Sequence, residues 1–184
     1  MARLNWALKM ASFVLMPAVR RLSRSLTTLP DGHAWRFSVI VGGVAAAAMT
    51  VVGFPFHLLH IEQTDISALP LRCLRVLFVP ALAEEMFFRG LLVKDRSETS
   101  NPWVSATLAT VLFVAWHGIE TLFLHHAAPI FLRTDFLVCA AVLGAACAIM
   151  RWRSASLWPA VIFHWLVVVT WQTWLGGPGF QALM

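Results

Sequence analysis

Residues Phe37–Leu59 read FSVIVGGVAAAAMTVVGFPFHLL, a run without one Asp, Glu, Lys or Arg. A helix that crosses the hydrocarbon core of a bilayer needs about 20 consecutive, mostly apolar residues, and this run supplies them. The composition of the whole chain agrees. Of 184 residues, 59% are hydrophobic and only 12% are charged, whereas soluble domains carry about 25% charged residues. The mean hydropathy is +0.74. No ordinary soluble domain has enough interior for this much apolar side chain, so lipid must act as its solvent. The length suits one domain, and no internal repeat or low-complexity tract is visible. The fold class expected is all-α: a polytopic membrane helix bundle.

Working outward from the first run, four more spans can be read. Leu71–Leu92 is apolar but interrupted by Arg72, Arg75, Glu84, Glu85 and Arg89. Trp103–Leu124 is broken only by His117 and Glu120. Phe136–Met150 is short, and lengthening it through Pro129–Leu132 brings in Arg133 and Asp135. Leu157–Leu175 has Pro159 near its start, where a helix tolerates proline. The stretch Leu4–Val19 is too short to span comfortably, carries Lys9 and ends in a basic run. Its outline resembles a signal peptide, but Lys9 interrupts the apolar core and no small-residue cleavage site is clear. It is read as an interfacial amphipathic helix, with a sixth span as the alternative. Residues 1–35 thus form a basic interfacial segment and residues 36–184 the membrane domain.

Charge orients five spans. Arg3, Lys9, Arg20, Arg21 and Arg24 crowd the N-terminus and mark a cytoplasmic flank or an anionic lipid surface; nucleic acid is not the expected partner. His60–Leu69 has Glu62 and Asp65 but no Lys or Arg and suits the outside. Lys94 and Arg96 suit the inside, as do Arg151 and Arg153. The loop with His125 and His126 has no Lys or Arg before Arg133, and the tail Gly176–Met184 has no charged side chain. The expectation is a multi-pass protein of the plasma or inner membrane with its N-terminus in the cytoplasm. Cys73, Cys139 and Cys147 lie in apolar helical stretches without CxxC spacing and read as buried free thiols.

Chemistry is sought among the charged groups within spans, because an ionisable residue near the bilayer centre costs at least a few kcal/mol and defaults to a functional reading. In Glu84-Glu85-Met86-Phe87-Phe88-Arg89, Arg89 follows Glu85 by four residues, the favourable order for a helical ion pair. Glu85 can be neutralised there, while Glu84 points about 100° away toward another helix. A carboxylate kept dry is a suitable general base for water; a salt-bridge cluster that only holds helices together is the alternative. Phe113-Val114-Ala115-Trp116-His117 places an aromatic and an imidazole one turn apart. Ser156-Leu157-Trp158-Pro159-Ala160 leads into His164 on the last span. Single histidines in apolar helices are often satisfied core residues. Three polar groups on three spans together point to one water-admitting site equipped for hydrolysis.

Taken in order, Glu-Glu-x-x-x-Arg, Phe-x-x-x-His and Ser-Leu-Trp-Pro-Ala leading to His resemble the CPBP (Abi/CAAX-protease) family of intramembrane endopeptidases. The likeness covers roughly Leu71–Leu175. The resemblance implies that Glu84 and His117 activate water, that His164 stabilises the oxyanion, and that Glu85, Arg89 and Phe113 support them. One position departs. The family places Asn, or sometimes Asp or Ser, one turn after the last His, and here Val168 stands there. That leaves the oxyanion hole incomplete. It suits a specialised subgroup, such as enzymes that trim C-terminal membrane-anchoring tails of exported proteins.

The expected activity is hydrolysis of a peptide bond in a membrane-associated protein or peptide; the alternative is a weakly catalytic or non-catalytic immunity or scaffold protein of the same family. A transporter is disfavoured by the lack of a repeat and the few spans. Glu84, His117 and His164 would make a Glu/His₂ zinc set, but there is no HExxH and each ligand comes from a separate span. The reading taken is a metal-free glutamate mechanism with no cofactor. His33, His60, His125 and His126 are read as interface or loop histidines. The oligomeric state is not legible.

Overall fold

The computed structural model describes residues 16–62, 66–121 and 128–179. These residues form seven helices and no strand, an all-α bundle as expected. Helix α1 covers residues 16–27. It is followed by α2 (Gly32–Gly53), α3 (Ile66–Leu91), α4 (Trp103–Glu120), the short α5 (Ala128–Phe131), α6 (Thr134–Ser154) and α7 (Trp158–Trp174). Four of them, α2, α3, α4 and α6, are long and apolar enough to cross a membrane. Of the five spans expected, the fifth corresponds to α7, whose 17 residues give about 26 Å at 1.5 Å per residue. That lies at the lower limit of spanning length.

The ends of the helices shift from their sequence-based bounds for local reasons. The Asp31 carboxylate accepts the Ala34 N–H at 2.7 Å and caps α2, so this helix starts before Phe37. It stops at Gly53, whose carbonyl accepts the N–H groups of both Leu58 and Leu59, folding the end of the charge-free run back on itself. Helix α6 outruns the short span read over Phe136–Met150 because Arg151 is not at the surface: its side chain is fully buried, 3.7 Å from the equally buried Asp95. Ala155 in the left-handed conformation closes α6, and Ser156 Oγ accepts the Trp158 N–H at the start of α7.

Helix α6 is the centre of the bundle and packs on α2, α4 and α7. Val39, Val44 and Val51 on α2 and Val104 on α4 remain exposed, which is the arrangement expected where lipid is the solvent. Loops read as lying on one side do meet. The Arg96 N–H donates to the Trp152 carbonyl, and the Trp152 indole donates to the Thr99 carbonyl. At the other end, the Glu62 N–H donates to the Trp174 carbonyl, and Arg133 donates to the Phe56 carbonyl.

Helix α1 packs on the first of these ends. The Trp158 indole donates to the Leu26 carbonyl, Arg21 pairs with Glu98 at 2.9 Å and Arg24 with Asp95 at 3.3 Å. Two of the N-terminal cations are therefore matched to the protein's own carboxylates, where the sequence offered a cytoplasmic flank or a lipid surface. Burial alone would raise the Asp95 carboxyl, but hydrogen bonds from Ser97 and the Arg151 and Arg24 guanidiniums hold it below its usual value. Of the interfacial helix read over Leu4–Val19, residues 4–15 lie outside the described residues, as do His125 and His126. The three cysteines are free, and Cys147 is buried.

Candidate active site

Helix α3 does not run as a regular α-helix. Pro80 lacks an N–H and disfavours helical geometry in the residue before it, and Val79 is correspondingly extended at φ −137°, ψ 115°. The helix opens to π geometry over Leu77–Leu82 and again over Met86–Leu91. Glu84 and Glu85 lie on the single α-helical turn between these two segments. Such π segments recur at functional sites, where they redirect side chains.

The adjacent carboxylates go separate ways. Glu85 is fully buried, and one of its oxygens, Oε1, takes two partners: Arg89 Nη1 at 2.9 Å and His164 Nδ1 at 2.9 Å. The Arg89 guanidinium, also fully buried, lies 4.3 Å from the centre of the Phe113 ring. Phe113 in turn meets His117 edge-on, with ring centroids 4.7 Å apart. The supporting residues expected from the sequence thus form one connected wall. Gly144 on α6 makes room for it: a Cβ there would lie 3.0 Å from Arg89 Nη2 and 3.1 Å from Phe113 Cδ1.

Glu84 faces away from this wall. Its Oε2 is buried without a hydrogen-bond partner and stands 3.9 Å from His164 Nε2. His117 Nδ1 donates to the Phe113 carbonyl at 2.8 Å, because a carbonyl only accepts; in the neutral imidazole the lone pair is then on Nε2. The structure brings together Glu84, His117 and His164 around a cavity of about 630 Å³, lined also by Val168 and by apolar side chains such as Met49, Leu143 and Phe131.

One residue given no role by the sequence, Glu120, borders the same space, and Trp116 stands beside it. Glu120, one turn after His117 on α4, lies with Glu84 and His117 so that one donor atom from each falls within 4.8 Å of the others. Trp116 is placed against both carboxylates. The spacing His117-x-x-Glu120 and the presence of an acid in an apolar span were the signals that could have found Glu120. Among the described residues this trio is the group whose donor atoms lie close enough together to hold a metal. His164 Nδ1 is committed to Glu85, beside the Arg89 cation.

Residues 66–170, more than half of the chain, match the family described as Type II CAAX prenyl endopeptidase Rce1-like. The chain belongs to the Rce1-like family. That family is one of membrane proteases, so the chain is a multi-pass membrane protein of a proteolytic family. The Rce1-like match runs from the first residue of α3 into α7 and encloses Glu84, Glu85, Arg89, Phe113, His117, Glu120, His164 and Val168. No curated protein and no solved structure matches the chain.

Proposed function

We propose that this protein is a metal-free intramembrane endopeptidase that hydrolyses a peptide bond in a membrane-associated protein or peptide. Glu84 is the general base, His117 holds the attacking water and His164 stabilises the oxyanion. The observation that carries this reading is the convergence of Glu84 Oε2 with the two imidazoles at one apolar cavity. Donor atoms of Glu84 and His117 no more than 4.8 Å apart leave room for one water oxygen about 2.8 Å from each. That water donates one proton to Glu84 and another to the lone pair on His117 Nε2, which aims its own lone pair at a carbonyl carbon in the cavity.

As the water attacks, its proton passes to Glu84, and the carbonyl oxygen gains charge. His164 faces that charge through Nε2. Its Nδ1–H is already given to Glu85, so it can donate from Nε2 only when doubly protonated. Glu84 then returns the proton to the departing amine, the carbon–nitrogen bond breaks, and a carboxylic acid and an amine leave. Every step uses a group within the cavity, and the walls of Phe113, Leu143 and Phe131 keep bulk water away.

The apolar lining suits a hydrophobic peptide segment, and processing of a C-terminal membrane-anchoring tail is the substrate class we infer. Membrane-peptide fragments compared between cells carrying the wild-type protein and Glu84→Gln test it. Fragments with new C-termini should be present only with the wild type. Identical fragment sets from both would favour an immunity or scaffold role, to which the absence of a donor at Val168 already lends support.

A further inference from the structure

We infer that Glu84, His117 and Glu120 form a divalent-cation site, and that Zn²⁺ bound there inhibits the enzyme. The site stands on geometry alone; the inhibition rests on the hydrolytic reading above.

The three side chains come from two helices, and one donor atom of each lies within 4.8 Å of the other two. Ligand atoms about 2.1 Å from a tetrahedral zinc ion stand roughly 3.4 Å apart, which rotamer adjustment can reach from this starting arrangement. His117 and Glu120 are one turn apart on α4, so a single helix face offers two of the ligands. His117 is only 8% exposed, and its Nδ1 is held by the Phe113 carbonyl. That bond orients the ring and leaves Nε2 as the ligand, as in established metal sites whose histidines donate their second N–H to an outer partner. Glu84 Oε2 is buried and without a hydrogen-bond partner, an unmet acceptor that a cation would satisfy. The fourth position opens on the cavity. One imidazole, two carboxylates and few ligands suit zinc over magnesium or calcium, which take six or more oxygens.

A cation there takes the two atoms that the hydrolysis needs, the Glu84 oxygen that accepts the proton and the His117 nitrogen that holds the water. Glu120 has no part in that hydrolysis, so it separates the two functions. In the purified, chelator-stripped full chain, Zn²⁺ titrated against a chromophoric chelator should bind at one ion per chain. Glu120→Gln should weaken that binding by at least about 10- to 100-fold, the loss typical even for an outer partner of a ligand. Thermal unfolding without metal checks that the variant is folded, and Glu120→Asp, which keeps a carboxylate, should recover part of the affinity.

In a cleavage assay the stripped wild type should be active and Zn²⁺ should inhibit it. Glu120→Gln, referred to its own metal-free rate, should need a proportionally higher Zn²⁺ concentration for half-inhibition. Absence of stoichiometric binding, or binding indifferent to Glu120, overturns the site. A stripped enzyme that is inactive and regains activity with Zn²⁺ overturns the inhibition and makes the ion a cofactor. Glu120-dependent binding in a protein that cleaves no membrane peptide upholds the site and overturns the protease reading instead.

Discussion

Glu85 and His164, 79 residues apart, meet at 2.9 Å, and the Glu85 oxygen they share is also 2.9 Å from Arg89. One carboxylate therefore ties α3 to α7 and fixes the orientation of the His164 ring. The neighbouring Glu84, on the same turn, is left without a hydrogen bond to its buried Oε2. In the proposed mechanism the pair divides labour, with Glu85 holding the site and Glu84 reacting.

This division gives the first prediction. Glu85→Ala leaves Arg89 buried and unpaired, and removing one partner of a buried ion pair typically costs about 3–5 kcal/mol. It should lower both thermal stability and activity. Glu84→Gln should abolish cleavage with little change in stability, because its buried Oε2 makes no hydrogen bond that the substitution would break. Unfolding in detergent and peptide cleavage, measured on both variants, check the split; a Glu84→Gln variant as unstable as Glu85→Ala would make Glu84 a structural residue.

The catalytic set should also behave as a unit. Glu84→Ala, His117→Ala and His164→Ala should each remove activity while the protein still accumulates in the membrane. The double variants should then be little worse than the singles. Strictly additive losses in the cleavage rates would assign the three residues independent roles.

Gly144 yields a third prediction. Gly144→Ala adds one methyl group at 3.0–3.2 Å from Arg89, Phe113 and Thr110, closer than ordinary van der Waals contact. Overpacking of this kind typically costs about 1–3 kcal/mol, and here the strain falls on the wall that seats His117 and His164. The variant should accumulate but cleave more slowly, whereas Gly43→Ala, with nothing within 4 Å of the new atom, should behave as wild type. Equal rates for Gly144→Ala and wild type would show that the wall yields without disturbing the histidines.

What the sequence revealed follows the reach of helical geometry. Glu85 with Arg89, and Phe113 with His117, are one turn apart on single helices, so spacing alone places them together. The contact of Glu85 with His164 and the approach of Glu120 to Glu84 join different helices, and no periodicity within one segment encodes them. Chemistry alone groups Glu84 with His117 and His164, whereas the fold also engages His164 Nδ1 with Glu85 and brings Glu120 beside Glu84. Span limits erred where a charge was taken as an end. Arg151 is buried within α6 because Asp95 reaches it from the loop between α3 and α4, a partner the span itself does not reveal.

The sidedness of the loops is a fourth prediction. With the native cysteines replaced, single cysteines at Lys94 and Glu62, both exposed, should react with impermeant reagents from opposite sides. Lys94 should be cytoplasmic, since the Lys94 and Arg96 loop and the Arg151 and Arg153 turn share one end of the bundle and basic loops stay inside. Asp95 would be a poor probe position because its side chain is buried. Labelling of both positions from one side would overturn this topology.

The last prediction concerns Val168, which faces the cavity one turn beyond His164. An oxyanion donor is typically worth about 3–4 kcal/mol, or some hundred- to a thousandfold in rate. No side chain on this part of α7 provides one. Ala160, Val161 and Val167 are apolar, and the Trp171 indole already donates to the Leu58 carbonyl. Gln172 lines the same cavity but lies two turns past His164, about 12 Å along the axis, too far to share its oxyanion. His164 therefore acts with no neighbour on its own helix, which suits a slow enzyme committed to few substrates. Val168→Asn is close in size and opens onto a cavity that admits water, so it should fold. It should maintain or raise the cleavage of a poor substrate, by up to about 100-fold if the amide reaches the oxyanion. A folded Val168→Asn protein that has lost all cleavage would mean that the substrate needs apolar surface at this position. The oxyanion would then be bound elsewhere in the cavity.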